Sequence, residues 1–310
     1  MKKYITYFLM AAALIGGAPA CNEDDLTKES SFDNMTPYRT AFDEWLLDNY
    51  VTPYNIDFKY KFEYKESDTD YNLAPAELSK SVAMAKLVKY LWIDAYVEVQ
   101  GNNRDFIKHV WMEAYTELAG PAFLRSYVPK TFHLIGSPAY DNGKITLGTA
   151  EGGLKVTLYN INALNPNSVD VEMMNRWYFS TMHHEFSHIL HQTIEFPQDF
   201  YAVSSGKYIG NGWVNVSDEA ALGMGFITAY GGSEVHEDFA ELVANYVTHD
   251  AAWWQQQLKI ADEGATFINQ KMEIVRNYMN EVWNIDLDKL RDIVQRRSEQ
   301  VKYIDLTELN

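Results

Sequence analysis

One cysteine, Cys21, is all the thiol this 310-residue chain has, so no disulfide can form within it. The fold must therefore be held by a packed core. Positive charge is also scarce: 26 lysines and arginines stand against 43 aspartates and glutamates, a formal net charge of −17. Such a surface repels phosphate backbones and anionic lipid. That excludes nucleic acid as a partner, and a membrane held by charge. Beyond residue 20 no apolar run is long enough to span a bilayer. Internal repeats, a P-loop and the glycine pattern of dinucleotide-binding turns are missing too. What is present suits a folded protein: 47% hydrophobic residues, 14% aromatics, and length enough for one large domain or two small ones.

The first residues read as an export signal. Lys2 and Lys3 are the basic start, Tyr7 to Ile15 the apolar stretch, and Gly16, Gly17, Ala18 and Ala20 the small residues before cleavage. Cys21 follows directly. This arrangement resembles a bacterial lipobox, with Ala18 where leucine is usual, and implies a lipid on Cys21 as the new N-terminus. The acidic run Asn22-Glu23-Asp24-Asp25 resembles the surface-export signal of Bacteroidota lipoproteins. The expected layout is a signal peptide over 1–20, a polar tether over 21–36 and a domain over 37–310. Within that domain, about 131–250 is the expected catalytic core and 251–310 a helical part. Cleavage would leave 24 basic and 43 acidic residues, about −19. The expected location is the outer membrane, facing the cell surface, with the lipid as the only membrane contact.

The chemistry is concentrated in His184-Glu185-Phe186-Ser187-His188-Ile189-Leu190-His191. Residues four apart on a helix lie one above the other, so His184 and His188 can grip one metal ion from the same side. Glu185 is turned about 100° away, where it can reach a water on the metal without being a ligand. Zinc pulls the pKa of such a water to about 7, and a carboxylate can take its proton. An open catalytic zinc needs a third protein ligand. The metzincin continuation fails, because His191 stands where its glycine belongs and Ile194 where its third histidine belongs. The other source is a carboxylate on a later helix, which Glu234-Val235-His236-Glu237-Asp238-Phe239-Ala240-Glu241 offers, with Ser233 as the expected N-cap. Glu237 and Glu241 share a face, so one can bind metal while the other holds a ligand histidine.

H-E-x-x-H followed by this E-x-x-x-E resembles the gluzincin zinc peptidases. The fuller pattern, HHEFSHILHQ and then HEDFAE on an exported chain, resembles the zinc-binding metallopeptidase lipoproteins of Bacteroidota, the substrate import-associated zinc metallohydrolases. The resemblance implies an α+β, zincin-like fold and Zn2+ held by His184, His188 and Glu237. It implies Glu185 as general base and Glu241 behind a ligand histidine. Glu241 stands where many gluzincins have the shorter aspartate. The implied activity is peptide-bond hydrolysis, with a peptide or protein as substrate and an outer-membrane import receptor as a possible associate. A rival reading is a non-catalytic surface lipoprotein that holds a peptide or glycan for such a receptor. Glu185 favours the enzyme, since a purely structural site has no use for a base.

The flanking chain supplies the expected scaffold. A short helix spans Tyr38 to Tyr50, stopped by Pro53. Ile56, Phe58, Tyr60, Phe62 and Tyr64 alternate with charged residues, as a ten-residue strand would. Its aromatic face suits a core better than a sugar platform. Pro75 opens a helix with Met84, Leu87, Val88, Leu91 and Ala95 inward, and a second helix runs from Arg104, with His109 off the metal motif, to Gly120-Pro121. Thr131–Ile135, Lys144–Thr149 and Lys155–Ile161 read as strands of a small mixed or antiparallel sheet, with a hairpin turn at Asp141-Asn142-Gly143. Lys144–Thr149 is the expected edge on which substrate could pair. The metal helix spans about 169–193, with Met173, Trp177, His184, His188 and His191 on one stripe and His183 on another. His191 is expected to hydrogen-bond near the metal. Residues 196–232 are glycine-rich and suggest turns over the cleft. Tyr230 and His236 are candidate oxyanion donors, Tyr201 and Tyr208 weaker ones. In the tail, Trp253-Trp254 should pack inward. Ile268, Met272, Val275 and Met279 mark one helix, and Leu290, Ile293 and Val294 another capped by Asp286.

Overall fold

A computed structural model describes residues 38–67, 71–100, 122–141, 144–146, 148–151 and 155–309. The signal peptide, the tether with Cys21, and the expected helix from Arg104 to Gly120 with His109 lie outside the described residues. From Thr40 onward the chain forms one unit around one main core.

The fold is α+β, a small sheet followed by a helical second half. Helix α1 (Ala41–Leu46) opens on a capping box: Asp43 N donates to the Thr40 hydroxyl and Thr40 N to the Asp43 carboxylate. Strand β1 is only Asp57–Lys59, not the ten residues the alternation suggests. Burial does alternate through Tyr60, which packs on Phe42 and donates to Asp43 Oδ1 at 2.9 Å. Beyond it, Lys59 pairs with Glu63 and Glu66 across a 3-10 turn at Tyr64–Glu66, and Tyr64 is 74% exposed. Those charges have water and each other, so no sheet partner is needed.

Helix α2 covers 78–100: Leu78–Leu87, a π-helical stretch Val88–Ile93, then Asp94–Gln100. It begins after Glu77 rather than at Pro75, which instead bridges to Ile135. Its expected stripe, Met84, Leu87, Val88, Leu91 and Ala95, is buried. After α3 (Ala122–Tyr127) come β2 (Thr131–Leu134), β3 (Ala139–Asp141), β4 (Lys144–Thr146), β5 (Gly148–Glu151) and β6 (Lys155–Leu158). The sheet runs β1-β2-β6-β5, parallel except for β5, which is antiparallel to β6. β3 and β4 make a separate antiparallel ribbon with Asp141 opposite Lys144, as the turn signal predicts. The expected strand 144–149 is therefore two strands in two sheets. Among the described residues β1 and β5 are the two edges of the sheet, and only β5 overlaps the expected edge segment.

Helix α4 spans 171–193: Val171–Met174 capped by Asp170, a π-helical turn Asn175–Phe179, and Ser180–Thr193. Its upstream buried face is Met174, Tyr178, Phe179 and Met182, while Met173 and Trp177 are only half-buried. The π turn inserts an extra residue and rotates the stripe away from a 3.6-residue extrapolation. Phe186, inside the histidine motif, is fully buried and meets Trp92 edge-on at 5.5 Å and Tyr96 at 4.8 Å. Trp92 in turn meets Phe132 of β2 at 5.9 Å. One aromatic chain thus fixes the motif helix to α2 and the sheet.

Residues 196–232 are more helical than their glycines suggest: α5 (Gln198–Val203), a 3-10 stretch Gly210–Asn215, and α6 (Asp218–Met224) capped by Ser217. Gly225, at φ 99°, ends α6 in a left-handed turn that favours glycine. Helix α7 (Val235–Thr248) begins after Glu234. Ser233 does not cap it, because its hydroxyl donates to the Tyr230 carbonyl instead. Then follow α8 (Ala251–Ala261), α9 (Ala265–Trp283) and α10 (Leu287–Gln300). Ile268, Met272, Val275 and Met279 are buried, as are Leu290, Ile293 and Val294, and Asp286 caps α10. Trp254 packs edge-on against Tyr246 at 4.9 Å. Among the described residues no helix is long and apolar enough to cross a membrane.

Sequence reading missed the tie between α7 and α9. Lys271 Nζ donates to both Asp238 oxygens, at 2.8 and 2.6 Å, with both side chains fully buried. Tyr208 adds a hydrogen bond to Asp238 Oδ2 at 2.9 Å. Removing one partner strands the other charge. Lys271→Met should cost about 3–5 kcal/mol in urea unfolding, and pairing it with Asp238→Leu should restore most of the loss. A single-variant cost below about 1 kcal/mol would show that the pair carries little.

Candidate metal centre

Helices α4 and α7 lie against each other and bring their polar faces together. His184 Nε2 and His188 Nε2 are 3.0 Å apart. Glu237 Oε2 is 3.0 Å from the first and 3.3 Å from the second. The other nitrogens are committed: His184 Nδ1 donates to Glu241 Oε1 at 2.8 Å, and His188 Nδ1 donates to His191 Nε2 at 2.8 Å. This tautomer assignment follows from the hydrogen-bond network. Both Nε2 atoms then present lone pairs. Two such lone pairs and a carboxylate oxygen at these separations call for positive charge among them, either a proton on an imidazole or a metal ion. A tetrahedral zinc with bonds of about 2.0–2.1 Å spaces its ligand atoms about 3.3 Å apart, so the donor set fits such an ion.

The electrostatics agree. Burial works against charge on His184, yet hydrogen bonds to Glu237 and Glu241 prevail and push it up to about 10. Burial raises Glu237, but His184 and His188 outweigh it and hold its carboxyl well below the usual range. The site attracts positive charge. Glu185, half-buried beside it, is raised by burial against the opposing pull of the two histidines. A carboxylate raised in this way is a better proton acceptor than one in water.

A cavity of about 450 Å³ opens over the cluster and is lined by Glu185, Tyr230 and His236 along with His191, Glu195 and Glu234. Tyr230 stacks on the His184 ring at 5.8 Å and 26°. Burial, then the neighbouring Glu237 carboxylate to which its hydroxyl is hydrogen-bonded, raise its pKa. His236 stacks on His191 at 5.0 Å and 20°, and Tyr201 Oη lies 3.3 Å from its Nε2. Tyr208 is not at the site, since its hydroxyl serves Asp238. His191, Glu195 and His236 also bring possible ligand atoms within 4.8 Å of one another. The stacked rings of His191 and His236 cannot aim in-plane lone pairs at one ion, and His191 Nε2 is already taken by His188.

The support around Glu241 was not legible in the sequence. Its Oε2 accepts from the Thr228 hydroxyl at 2.7 Å and from Asn245 Nδ2 at 3.3 Å. Thr228 Oγ1 also receives Gly231 N at 3.0 Å, which ties the Tyr230 turn to the same carboxylate.

Comparison with known proteins agrees with this geometry. A family model described as "Putative zinc-binding metallo-peptidase" matches residues 35–108 and 104–288. The chain belongs to this zinc-binding metallo-peptidase family. A crystal structure of a protein from Bacteroides caccae carrying the same description is similar, with 44% sequence identity and a TM-score of 0.73. The match covers 87% of this chain and 95% of that one. No curated protein matches the chain.

On the face of α4 away from the cleft, His183 is fully buried and meets Tyr96 Oη at 2.9 Å. Burial pushes its pKa down to about 3. The unfolded chain, near 6.5, binds the extra proton first, so this contribution is complete above about pH 6.5 and is lost as the pH falls towards 3. His183→Asn, which can still meet Tyr96, should show a shallower loss of stability between pH 7 and 4.5 in urea titrations. An unchanged slope would assign the acid sensitivity elsewhere.

Proposed function

We propose that the chain is a zinc-dependent metallopeptidase of gluzincin type, with His184, His188 and Glu237 as zinc ligands and Glu185 as general base. The observation that carries this is the convergence of two histidine Nε2 atoms and one carboxylate oxygen beside a half-buried glutamate, at the floor of an open cavity. Zinc held there would act as a Lewis acid and lower the pKa of a water to about 7.

Glu185 takes a proton from the attacking water, whose oxygen bonds to the scissile carbonyl carbon. As the C–N bond breaks, Glu185 delivers that proton to the leaving amine. Tyr230 and His236 reach the cavity and are the residues to donate to the developing oxyanion. Glu241 holds the His184 ring in its orientation. β5 lies at an edge of the sheet and near α4, and substrate backbone can add to it as a further strand, a mode of binding that reads few side chains.

Cys21 is acylated after cleavage of 1–20, the acidic tether holds the enzyme off the outer membrane, and the active site faces outward. There it would act on peptide or protein substrate beside an import receptor. The lipid would be the sole membrane contact.

The chemistry is tested by zinc content and turnover measured together. The parent and Glu185→Gln should each hold about one zinc per chain, His188→Ala much less. Peptidase turnover should fall by about two orders of magnitude or more in Glu185→Gln. Of Tyr230→Phe and His236→Asn, the variant that removes the oxyanion donor should lose about 10²–10³ in kcat. Full activity in Glu185→Gln ends the mechanism, and full zinc in His188→Ala ends the ligand assignment. For the anchor, Cys21→Ser should move the protein from the detergent phase to the aqueous phase of a Triton X-114 partition. Parent protein found in the aqueous phase would rule the lipid out.

A further inference from the structure

Every histidine in the cleft but one has an evident use in the proposed chemistry. His191 is 2% exposed, so it cannot greet substrate freely. Nor does it stabilise the fold as a well-satisfied polar group, because its Nδ1 is buried with no hydrogen-bond partner. The bond it does make is to His188, with His188 Nδ1 donating to His191 Nε2 at 2.8 Å. Its ring is clamped on several sides: stacked on His236 at 5.0 Å, and met edge-on by Phe196 at 5.4 Å and Phe239 at 5.8 Å. A buried nitrogen left without a partner costs stability. The site retains it while holding the other nitrogen against a candidate ligand.

We propose that His191 is a positioning residue for the metal, the acceptor that fixes the His188 ring with its proton on Nδ1 and its Nε2 lone pair towards His184 and Glu237. This rests on the zinc reading above and adds a role for a residue outside the ligand set. The two ligand histidines are then backed unequally. His184 leans on the Glu241 carboxylate, which is itself held by Thr228 and Asn245. His188 leans on an imidazole with no charge to lend. A carboxylate partner makes a ligand imidazole more basic, and a neutral acceptor does so less. The aromatic clamp replaces charge with rigidity: the acceptor is held still rather than made strong. The free N–H of His191 follows from the same arrangement, since a ring that accepts at Nε2 keeps its proton on Nδ1.

The test is zinc affinity, measured by competition with a chromophoric chelator on the purified protein. His191→Phe suits the surrounding rings but has no acceptor. His191→Gln can place its amide oxygen close to where Nε2 stands. The expected result is zinc binding weakened about 10–100-fold in H191F and kept within about threefold of the parent in H191Q. Far-UV circular dichroism and thermal melting of each variant show that the fold persists. If H191F misfolds, His191→Leu takes its place in the comparison. A packing role alone would shift the melting temperature and leave zinc affinity where it was. Parent-like affinity in H191F, or equal losses in both variants, overturns the positioning role and leaves the zinc reading intact. A parent protein that takes up no zinc overturns both.

Discussion

Two imidazole nitrogens and a carboxylate oxygen held about 3 Å apart make a site that calls for positive charge. A proton on His184 supplies it, as the raised pKa of that ring shows, and a metal ion among the three atoms would supply more. The packing of α4 on α7 is what imposes this proximity. Phe186 locks the first helix to Trp92 and Tyr96, and Phe239 locks the second by stacking on Phe196 at 4.6 Å and 8°. These rings sit within two residues of the proposed ligands on each helix, so the apolar faces set the distance between the polar ones. A shift of one helix by a single turn would separate Glu237 from the histidines by about 5.4 Å. Affinity for a cation is therefore built by the core, through burial of aromatic surface that has no chemistry of its own.

The Asp238–Lys271 pair belongs to the same constraint. Asp238 is the neighbour of Glu237 and points the other way, into the protein, where Lys271 and Tyr208 hold it. A buried ion pair is a weak source of stability but a strict specifier of position, because a misregistered helix would leave both charges unpaired. Glu237 is thus aimed from behind. The carboxylate next to it in sequence is fixed to α9, and only one rotation of α7 satisfies both.

These relations explain which parts of the molecule could be read from the sequence. His184, Glu185, His188, Glu237 and Glu241 are spaced by the helix repeat within two short segments, and local periodicity survives in any fold that keeps those helices. The buried stripes of α2, α9 and α10 are legible for the same reason. What failed were extrapolations across a change of geometry. The π turn at Asn175–Phe179 shifts the buried face from Met173 and Trp177 to Met174, Tyr178, Phe179 and Met182. The alternation of 56–65 describes burial as far as Tyr60, but whether a strand forms depends on what lies alongside. β2 meets only Asp57 to Lys59. Ser233 had the right chemistry for a cap, yet its hydroxyl found the Tyr230 carbonyl first. Lys271 could not be seen at all, since a lone lysine 33 residues after Asp238 reads as surface.

The sheet shows why an open cleft is compatible with so acidic a chain. β5 leaves one side unpaired, and an exposed edge ordinarily invites association with other chains. Here the edge strand is short, Gly148–Glu151, and lies near the helix that carries the histidines. Strand addition at that position would therefore lead a chain towards the metal centre rather than along an open sheet. The formal charge of −17 gives copies of the protein a long-range reason to stay apart, while an extended peptide of neutral or basic character meets no such barrier. The same charge would thus keep copies of the chain from pairing along this short edge.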